Sequence, residues 1–230
     1  MDQEKIWDYL QTEGVDAFSR TGPRFRFLAR QINSAARVLN IGVGNGNLEA
    51  LISHKGAEVW SLDPSENAIR RLRESQGVVE RAKVGYSQSM PFEEGMFDVV
   101  IMTEVLEHLQ QEVLLATLSE VRRVLVPDGR FIGTIPADEV LEENHVACPH
   151  CGKVFHRYGH VRAFSQESIC AELSRQFQDV KIRRRYFADF SSLNWKGRLS
   201  SMIKKTAVAL GIPGSNENFY FSASKGRVPT

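Results

Sequence analysis

Short apolar runs alternate with amphipathic stretches through the middle of this chain. The runs have the length and continuity of strands buried on both faces, and they cover residues 38–41, 58–62, 83–85, 97–102 and 130–135. Between them, apolar residues recur every three or four positions, which indicates helices. Strands and helices in alternation predict a parallel sheet with helices on both of its faces.

The pattern changes on either side of this core, which spans residues 37–136. Residues 1–36 read as a helical N-terminal cap with Ile6, Trp7 and Leu10 at helical spacing. Residues 137–164 form an insertion rich in Cys and His. Residues 165–230 are predicted to add a helix that begins after Ser165 and strands at 180–186 and 218–223, which complete the sheet.

Composition and charge exclude several classes of protein. The 230 residues are 42% hydrophobic, which is enough for a substantial core. With a net charge of +1, the chain does not have the strongly basic surface that coats nucleic acids, so no nucleic-acid partner is expected. No apolar run reaches the roughly 20 residues of a transmembrane helix. An acidic N-terminus without an apolar segment, and only three Cys, predict a cytoplasmic protein.

A glycine loop follows the first predicted strand. Gly42, Gly44 and Gly46 stand between strand and helix, where glycines let a ligand approach the main chain. Asp63 ends the second strand, where a carboxylate can accept hydrogen bonds from both hydroxyls of a ribose. A plain turn with Asp63 as a helix cap is the structural alternative. The dinucleotide fingerprint would need a third glycine at Asn47, so a nicotinamide-dependent reductase is a weaker reading.

Several motifs in order resemble the class I S-adenosylmethionine-dependent methyltransferases. They are Val38–Gly46, Leu62-Asp63, Met90-Pro91-Phe92 followed by Phe97–Val100, and Thr103–Leu109. The resemblance implies a Rossmann-like three-layer α/β methyltransferase fold. Its seven-stranded sheet is mostly parallel, and the last strand, at 218–223, is antiparallel. Residues 37–136 would then be the cofactor-binding core.

The resemblance also implies a set of cofactor-binding residues, namely Asn40, Gly42, Gly44, Gly46, Asp63, Ser87, Gln88 and Thr103. The glycines would hold the methionine part of S-adenosylmethionine and Asp63 its ribose. Main chain near Ser87 and Gln88 would meet the adenine, and Thr103 would border the methyl group. Two positions depart from the family, which usually has an acidic residue at Asn40 and often Asp at Tyr86.

Methyl transfer from a sulfonium needs alignment of the acceptor, and a base only where the acceptor carries a proton. His108 is the candidate base because it follows the fourth strand, where the site opens; the alternative is a packed or solvated histidine at a helix start. Glu104 and Glu107 are interpreted as carboxylates in the first turn of that helix.

The insertion concentrates metal-ligand residue types. Cys148 and Cys151 form a Cys-x2-Cys knuckle, and His156 and His160 form a His-x3-His pair, which together predict a structural zinc site. His145 and His150 compete for the two histidine positions. The knuckle also resembles an insertion of some methyltransferases, and in that alternative His160 belongs to the fold or to the rim of the active site. A redox Cys pair and unliganded loop residues are further alternatives.

A basic segment with interleaved apolar residues follows the strand at 180–186. One interpretation is a surface for an anionic or lipid-linked substrate; the other, which the sequence favours, is a solvated helix whose apolar residues pack on the sheet. The predicted partner is a small-molecule acceptor, with anionic or lipid-associated compounds among the candidates, and the chain is a monomer or homodimer. The alternative function is a non-catalytic methyltransferase-like module whose knuckle binds a protein.

Overall fold

A computed structural model describes residues 6, 21–190, 193–212, 214 and 216–226. Its core strands are β1 (Arg37–Ile41), β2 (Glu58–Asp63), β3 (Ala82–Val84), β4 (Phe97–Thr103) and β5 (Leu125–Pro136). The insertion holds β6 (His145–Ala147) and β7 (Val154–His156), and β8 (Gln178–Arg185) and β9 (Asn218–Ser224) follow. The helices are α1 (Gly22–Arg30), α2 (Asn47–Ser53), α3 (Glu66–Gln76), α4 (Gln111–Val124), α5 (Gln166–Ser174) and α6 (Trp195–Ala209).

Seven strands form one sheet in the order β3-β2-β1-β4-β5-β9-β8. Strands β1 to β5 are parallel, whereas β9 runs antiparallel to both β5 and β8. This confirms the predicted seven-stranded, mostly parallel sheet with an antiparallel last strand. The strand order reverses between β1 and β4, and in such sheets ligands bind in the crevice at the carboxyl ends of the strands beside that point.

Successive strand residues face opposite sides of the sheet, and each side is covered by helices. Val100 and Met102 pack in one core with α4 and α5, through Leu118 of α4 among others. Val99 and Ile101 pack in the other core with α1 and α2. This is why β4 has no polar alternation: both of its faces are buried.

Local signals set the helix boundaries. Pro23 lies in the first turn of α1, where its missing N–H is tolerated. Ser65 caps α3 by accepting a hydrogen bond from Ala68 N at 3.2 Å, and Ser165 caps α5 in the same way from Ser168 N. The predicted helix over Trp7 and Leu10 lies outside the described residues.

The insertion contains a two-stranded antiparallel hairpin, in which β6 pairs with β7. His145 stands opposite His156, and the two cysteines occupy the turn between the strands. Two backbone hydrogen bonds close that turn, from Cys148 N to Lys153 O and from Gly152 N to Cys148 O. The described part of the chain contains no helix with the length and apolar character needed to span a membrane.

Candidate active site

The glycine loop joins β1 to α2 at the carboxyl edge of the sheet. Gly42, Gly44 and Gly46 have φ angles of 87°, 55° and 76°, in the left-handed region that side chains avoid. A Cβ on Gly42 would lie 2.7 Å from a methyl carbon of Val105, and one on Gly46 would lie 2.9 Å from Leu72 Cδ1. The loop therefore needs glycine for its conformation and for the close approach of its neighbours.

Asp63 connects this loop to the turn after β2. The carboxylate is buried, with Oδ2 accepting from Val43 N and Oδ1 accepting from Ser65 N, both at 2.8 Å. Each carboxylate oxygen has a second lone pair, so these bonds leave acceptor capacity for ribose hydroxyls. The predicted ribose ligand thus lies beside the glycine loop and also orders it.

A buried carboxyl that the sequence reading missed lies beneath the loop. Glu49 of α2 accepts a hydrogen bond from Asn40 Nδ2 at 2.7 Å and one from Ser61 Oγ at 3.3 Å. Burial raises the pKa of Glu49 to about 7 against the effect of these bonds. Asn40 Oδ1 and Glu49 Oε2 are buried without a hydrogen-bond partner in the structure. Asn40, where the resemblance implies an acidic residue, is therefore paired with a carboxyl group of α2.

The loop after β3 is held in place by α4. Ser87 Oγ lies 2.8 Å from Thr117 Oγ1, so its side chain points to the helix. Glu120 accepts from Met90 N at 2.7 Å, and Arg123 donates to Met90 O at 3.1 Å. The main chain at Ser87, rather than the side chain, is therefore the group suited to meet an adenine.

At the end of β4, Glu104 joins four elements. Its φ angle is 56°, and its carboxylate accepts from Thr134 Oγ1 at 2.9 Å and from Asn218 Nδ2 at 3.1 Å. Arg24 of α1 lies 3.1 Å from its other oxygen. Thr103 Oγ1 lies 2.7 Å from Thr134 Oγ1. The predicted methyl-bordering residue is thus next to a carboxylate that connects α1 to the sheet.

Glu104 and Glu107 do not lie in the first turn of the long helix α4, although Glu107 lies in the first turn of a short 3-10 helix before it. Helix α4 begins only at Gln111, and Glu107 lies in the 3-10 turn Leu106–His108. Glu107 is 1% exposed, and neither carboxyl oxygen has a hydrogen-bond partner. Burial, followed by the nearby Glu104, raises the pKa of Glu107 well above its usual value. The surroundings of this carboxyl therefore favour its neutral, protonated form.

His108 occupies the place predicted for a base. Its Nδ1 lies 3.2 Å from the carbonyl oxygen of Gly159 and donates to it, so Nε2 is the basic nitrogen. Burial, followed by the nearby His160, lowers the pKa of His108 to about 3. The ring centroids of His108 and His160 are 4.8 Å apart. The structure therefore brings a residue of the insertion to the end of β4.

Glu139 lies between two histidines of the insertion. His160 Nδ1 is 2.5 Å from Glu139 Oε2, and His156 Nε2 is 3.3 Å from Glu139 Oε1. Burial opposes ionisation, yet the hydrogen bond and charge of His160 hold the pKa of Glu139 below its usual value. Since Nδ1 of His160 donates to this carboxylate, Nε2 of His160 is its basic nitrogen.

The backbone determines the tautomer of His156. Its Nδ1 accepts from Tyr158 N at 3.3 Å and from His160 N at 3.1 Å, so Nε2 carries the hydrogen. Burial, followed by the charge of His160, lowers the pKa of His156. His156 therefore serves to order the turn before His160.

The structure does not bring the four predicted zinc ligands together. Cys148 and Cys151 face each other at the hairpin tip, where backbone N–H groups of Cys151 and His150 lower the pKa of the Cys148 thiol. Among the described residues, the groups of three potential metal ligands are Glu139/His156/His160 and Glu107/His108/His160. Neither group includes a cysteine, so the two predicted pairs form separate clusters.

Comparisons with known proteins agree with the fold and the motifs. Residues 39–133 match a family model described as a methyltransferase domain. Sarcosine/dimethylglycine N-methyltransferase of Halorhodospira halochloris is 32% identical over 128 residues, 53% of this chain and 45% of that protein. Ubiquinone biosynthesis O-methyltransferase of Pseudomonas aeruginosa is 33% identical over 104 residues, 43% of this chain and 44% of that protein. The chain spans about half the length of the curated relatives it matches.

Solved structures share the fold over nearly the whole chain. A chain from the complex between the Haloferax volcanii Trm112 methyltransferase activator and a methyltransferase has a TM-score of 0.69 at 17% identity, covering 96% of this chain and 98% of that one. An S-adenosylmethionine-dependent methyltransferase from Archaeoglobus fulgidus has a TM-score of 0.63 at 18% identity, covering 88% and 91%. The matched model, the motifs and the strand order together support a class I S-adenosylmethionine-dependent methyltransferase domain at residues 39–133.

Proposed function

We propose that this chain transfers a methyl group from S-adenosylmethionine to an oxygen or nitrogen of a small-molecule acceptor. The observation that carries the proposal is the placement of the cofactor candidates. Gly42, Asp63 and Thr103 stand at the carboxyl ends of three neighbouring strands, beside the point where the strand order reverses. When bound, the cofactor supplies an activated sulfonium methyl group, so the protein's task is to align the acceptor and exclude water.

The residues on the cofactor side fit this group. The loop of Gly42, Gly44 and Gly46 would hold the methionine part and Asp63 the ribose, with main chain at Ser87 and Gln88 toward the adenine. Asn40 acts through the loop, since its Nδ2 donates to Gly42 O at 3.3 Å as well as to Glu49. The carboxyl of Glu49 stands in for the family's acidic residue, because it lies behind the same loop.

On the acceptor side, two histidines compete for the role of base. His108 was predicted from its position, but its lowered pKa of about 3 makes it a weak proton acceptor. His160 has the stronger arrangement, because Glu139 accepts from Nδ1 and so stabilises the ring once Nε2 has taken a proton. We therefore assign proton removal from the acceptor to His160, with His108 positioned against it.

Single variants decide between the two histidines. We expect His160→Ala to lower kcat by about 100-fold, the usual contribution of a positioned base, with the affinity for the cofactor unchanged. His108→Ala should have the smaller effect on kcat. The reverse order would return the role to His108, and unchanged activity in both variants would overturn the assignment of a base.

Calorimetric titration tests the identity of the cofactor. S-adenosylmethionine and S-adenosylhomocysteine should both bind, and Asp63→Ala should weaken both. Tight binding of NADH with no response to the methyl donor would overturn the proposal in favour of a reductase. For the acceptor, we would test sarcosine, which is in the name of one relative, and a hydroquinone, because another relative is named for ubiquinone biosynthesis. Mass spectrometry of the product would identify the methylated atom.

The second candidate function is a non-catalytic module that binds a protein through the knuckle. The hairpin tip favours it, because Cys151 and Val154 are exposed there. A fold neighbour also comes from a complex with a methyltransferase activator. Cofactor binding without turnover of any acceptor, together with capture of a partner that Val154→Asp abolishes, would support this function over catalysis.

The zinc hypothesis rests on the cysteines. The described arrangement does not fit a four-ligand site, because His156 and His160 contact Glu139 instead of the cysteine pair. The Cys148 thiol nevertheless has the lowered pKa that favours a metal-binding thiolate. Elemental analysis of the purified chain tests the prediction: one zinc per chain, lost in Cys148→Ser and Cys151→Ser, would support it, and near-zero zinc in all three would end it.

A further inference from the structure

Helix α6 packs on the molecule along one narrow side. Ser201 and Val208 are its buried residues, at 5% and 8% exposure. They stand seven positions apart and so lie on one side of the helix. The Nζ atom of Lys204, on the same side, lies 5.8 Å from the ring centroid of Tyr186, just after β8. The buried side of α6 therefore carries one polar and one apolar side chain, neither of them large.

The opposite side of α6 is apolar and exposed. Its exposed residues are Trp195 at 71%, Leu199 at 53%, Met202 at 59% and Ile203 at 62%. They recur at intervals of four, three and one residues, which places them in a stripe about 100° wide. Leu210 and Ile212, just beyond the helix, are also exposed, at 74% and 57%. The prediction that Trp195, Leu199, Met202 and Ile203 pack on the sheet was therefore wrong, since the stripe that they form faces away from it.

Cations flank the stripe. Lys196 lies on one edge, and Arg198 and Lys205 lie on the other, all three exposed. Residues 195–212 contain no Asp or Glu. Next to α6 on the sheet edge, β8 adds exposed Lys181 and Arg183. An apolar stripe with cations on both of its edges is the pattern of a helix that lies in the interface of an anionic bilayer.

We infer that α6 binds the surface of an anionic lipid bilayer, with the stripe among the acyl chains and the flanking cations at the headgroups. Exposed apolar surface of this extent is unfavourable in water and marks a site of interaction. The uniformly positive edges favour an anionic partner, and Trp195 is of the type enriched at bilayer interfaces. If a second copy of this chain covered the stripe instead, the flanking cations of the two copies would be brought together and would repel one another.

The position of α6 relates this surface to the candidate active site. Strand β8 ends at the same edge of the sheet as β1 to β5, because both β8 and β5 run antiparallel to β9. Phe187, in the connection to α6, contacts Phe27 of α1 with ring centroids 5.5 Å apart. Arg24 of the same helix reaches Glu104. Docking through α6 would therefore hold the active-site edge near a lipid-borne acceptor. That advantage rests on the proposed function, whereas the docking of α6 on a bilayer does not depend on it.

Vesicle co-sedimentation without cofactor or acceptor tests the inference separately from the proposed reaction. The full chain should bind vesicles of equal parts phosphatidylglycerol and phosphatidylcholine, and bind at least tenfold less to phosphatidylcholine alone. The double variant Leu199→Ser/Ile203→Ser should lose at least tenfold in binding, since two apolar side chains are removed from the interface. Leu115→Ser, an exposed apolar position on α4, is the matched control and should bind as the wild type does.

Two further measurements distinguish the occupants. Lys196→Glu/Lys205→Glu should abolish binding to the anionic vesicles, and Trp195 fluorescence should shift to the blue when the wild type binds, a shift missing from Trp195→Phe. Equal binding by the wild type and the Leu199→Ser/Ile203→Ser variant would overturn the inference. A dimer that this variant converts to a monomer, with no vesicle binding by the wild type, would overturn it in favour of a second copy.

Discussion

At the scale of single residues, charge buried beneath the glycine loop is the most consequential feature. Glu49 shares its Oε1 oxygen between Asn40 and Ser61, and its Oε2 is buried without a partner. A carboxylate in such a place is destabilised relative to the neutral acid, which is why its pKa rises. The glycine loop is thus supported by a group that gains its negative charge near neutral pH.

This shift makes stability depend on pH. The pKa of Glu49 is about 7 in the folded chain against an ordinary value of 4.5. Below the ordinary value both states are protonated, and the group has no effect. Above it the unfolded chain ionises first, so the free energy of unfolding falls as the pH rises, until the folded carboxyl ionises too. At about 1.4 kcal/mol per pH unit, the total fall is about 3 kcal/mol.

Glu49→Gln isolates this contribution, because the amide oxygen still accepts from Asn40. We expect the unfolding free energy of the wild type, measured with urea from pH 4 to pH 8, to fall by about 3 kcal/mol relative to the variant. Parallel curves for the two proteins would show that Glu49 titrates normally.

At the scale of elements, the three neighbouring strands β4, β5 and β9 leave no room for a side chain at one position of β5. Gly133 of β5 pairs with Met102 of β4 and Phe221 of β9. A Cβ on Gly133 would lie 1.8 Å from Met102 O and 2.5 Å from the Phe221 ring. The pairing of these three strands therefore requires glycine at position 133.

Gly133→Ala should destabilise the fold severely, because the obstructing atom is backbone and the two strands would have to separate. We expect a loss of about 3 kcal/mol or more in the free energy of unfolding. Gly85→Ala is the matched control, since its Cβ would lie 3.0 Å from the flexible end of the Leu62 side chain and in ordinary contact with the Pro91 ring, at 3.7 Å. Similar losses in both variants, measured by urea denaturation, would contradict this account of the sheet.

At the scale of the whole molecule, the insertion reaches back to the end of β4. Main-chain N–H groups of Val161 and Arg162 donate to Glu107 O, at 3.0 and 3.3 Å. Beside them, Glu139 connects His160 to the start of the insertion. The insertion therefore contributes residues to the candidate active site, in addition to carrying the cysteine pair at the tip of its hairpin.

Glu139→Gln tests this connection. Loss of the carboxylate should lower kcat by roughly 10- to 100-fold through a misplaced His160, with the affinity for S-adenosylmethionine unchanged. Glu142→Gln, an exposed position in the same acidic run, should leave both unchanged. If Glu139→Gln also lost cofactor binding, its role would be in the fold rather than in positioning His160.

Neighbouring residues determined much of this protein. The β1–β5 alternation and the cap at Ser165 follow from apolar periodicity and local hydrogen bonding, so the sequence predicted them. Glu49 offered one local signal, a charged residue beside Leu48 on the buried face of α2. Glu139 offered none, because it stands in a run of acidic residues that resembles any solvated loop.

Only the tertiary structure decided which distant residues meet. Glu139 and His160 are 21 residues apart, and Glu104 and Asn218 are 114 apart, distances over which no periodicity carries information. The sequence likewise did not show that the cysteine pair and the histidine pair of the insertion form separate clusters. The orientation of α6 also depends on tertiary structure. An amphipathic pattern shows that a helix has an apolar face, but not whether that face packs on the sheet or points outward. In the structure, the buried side of α6 carries Ser201 and Val208, so the apolar face points away from the sheet.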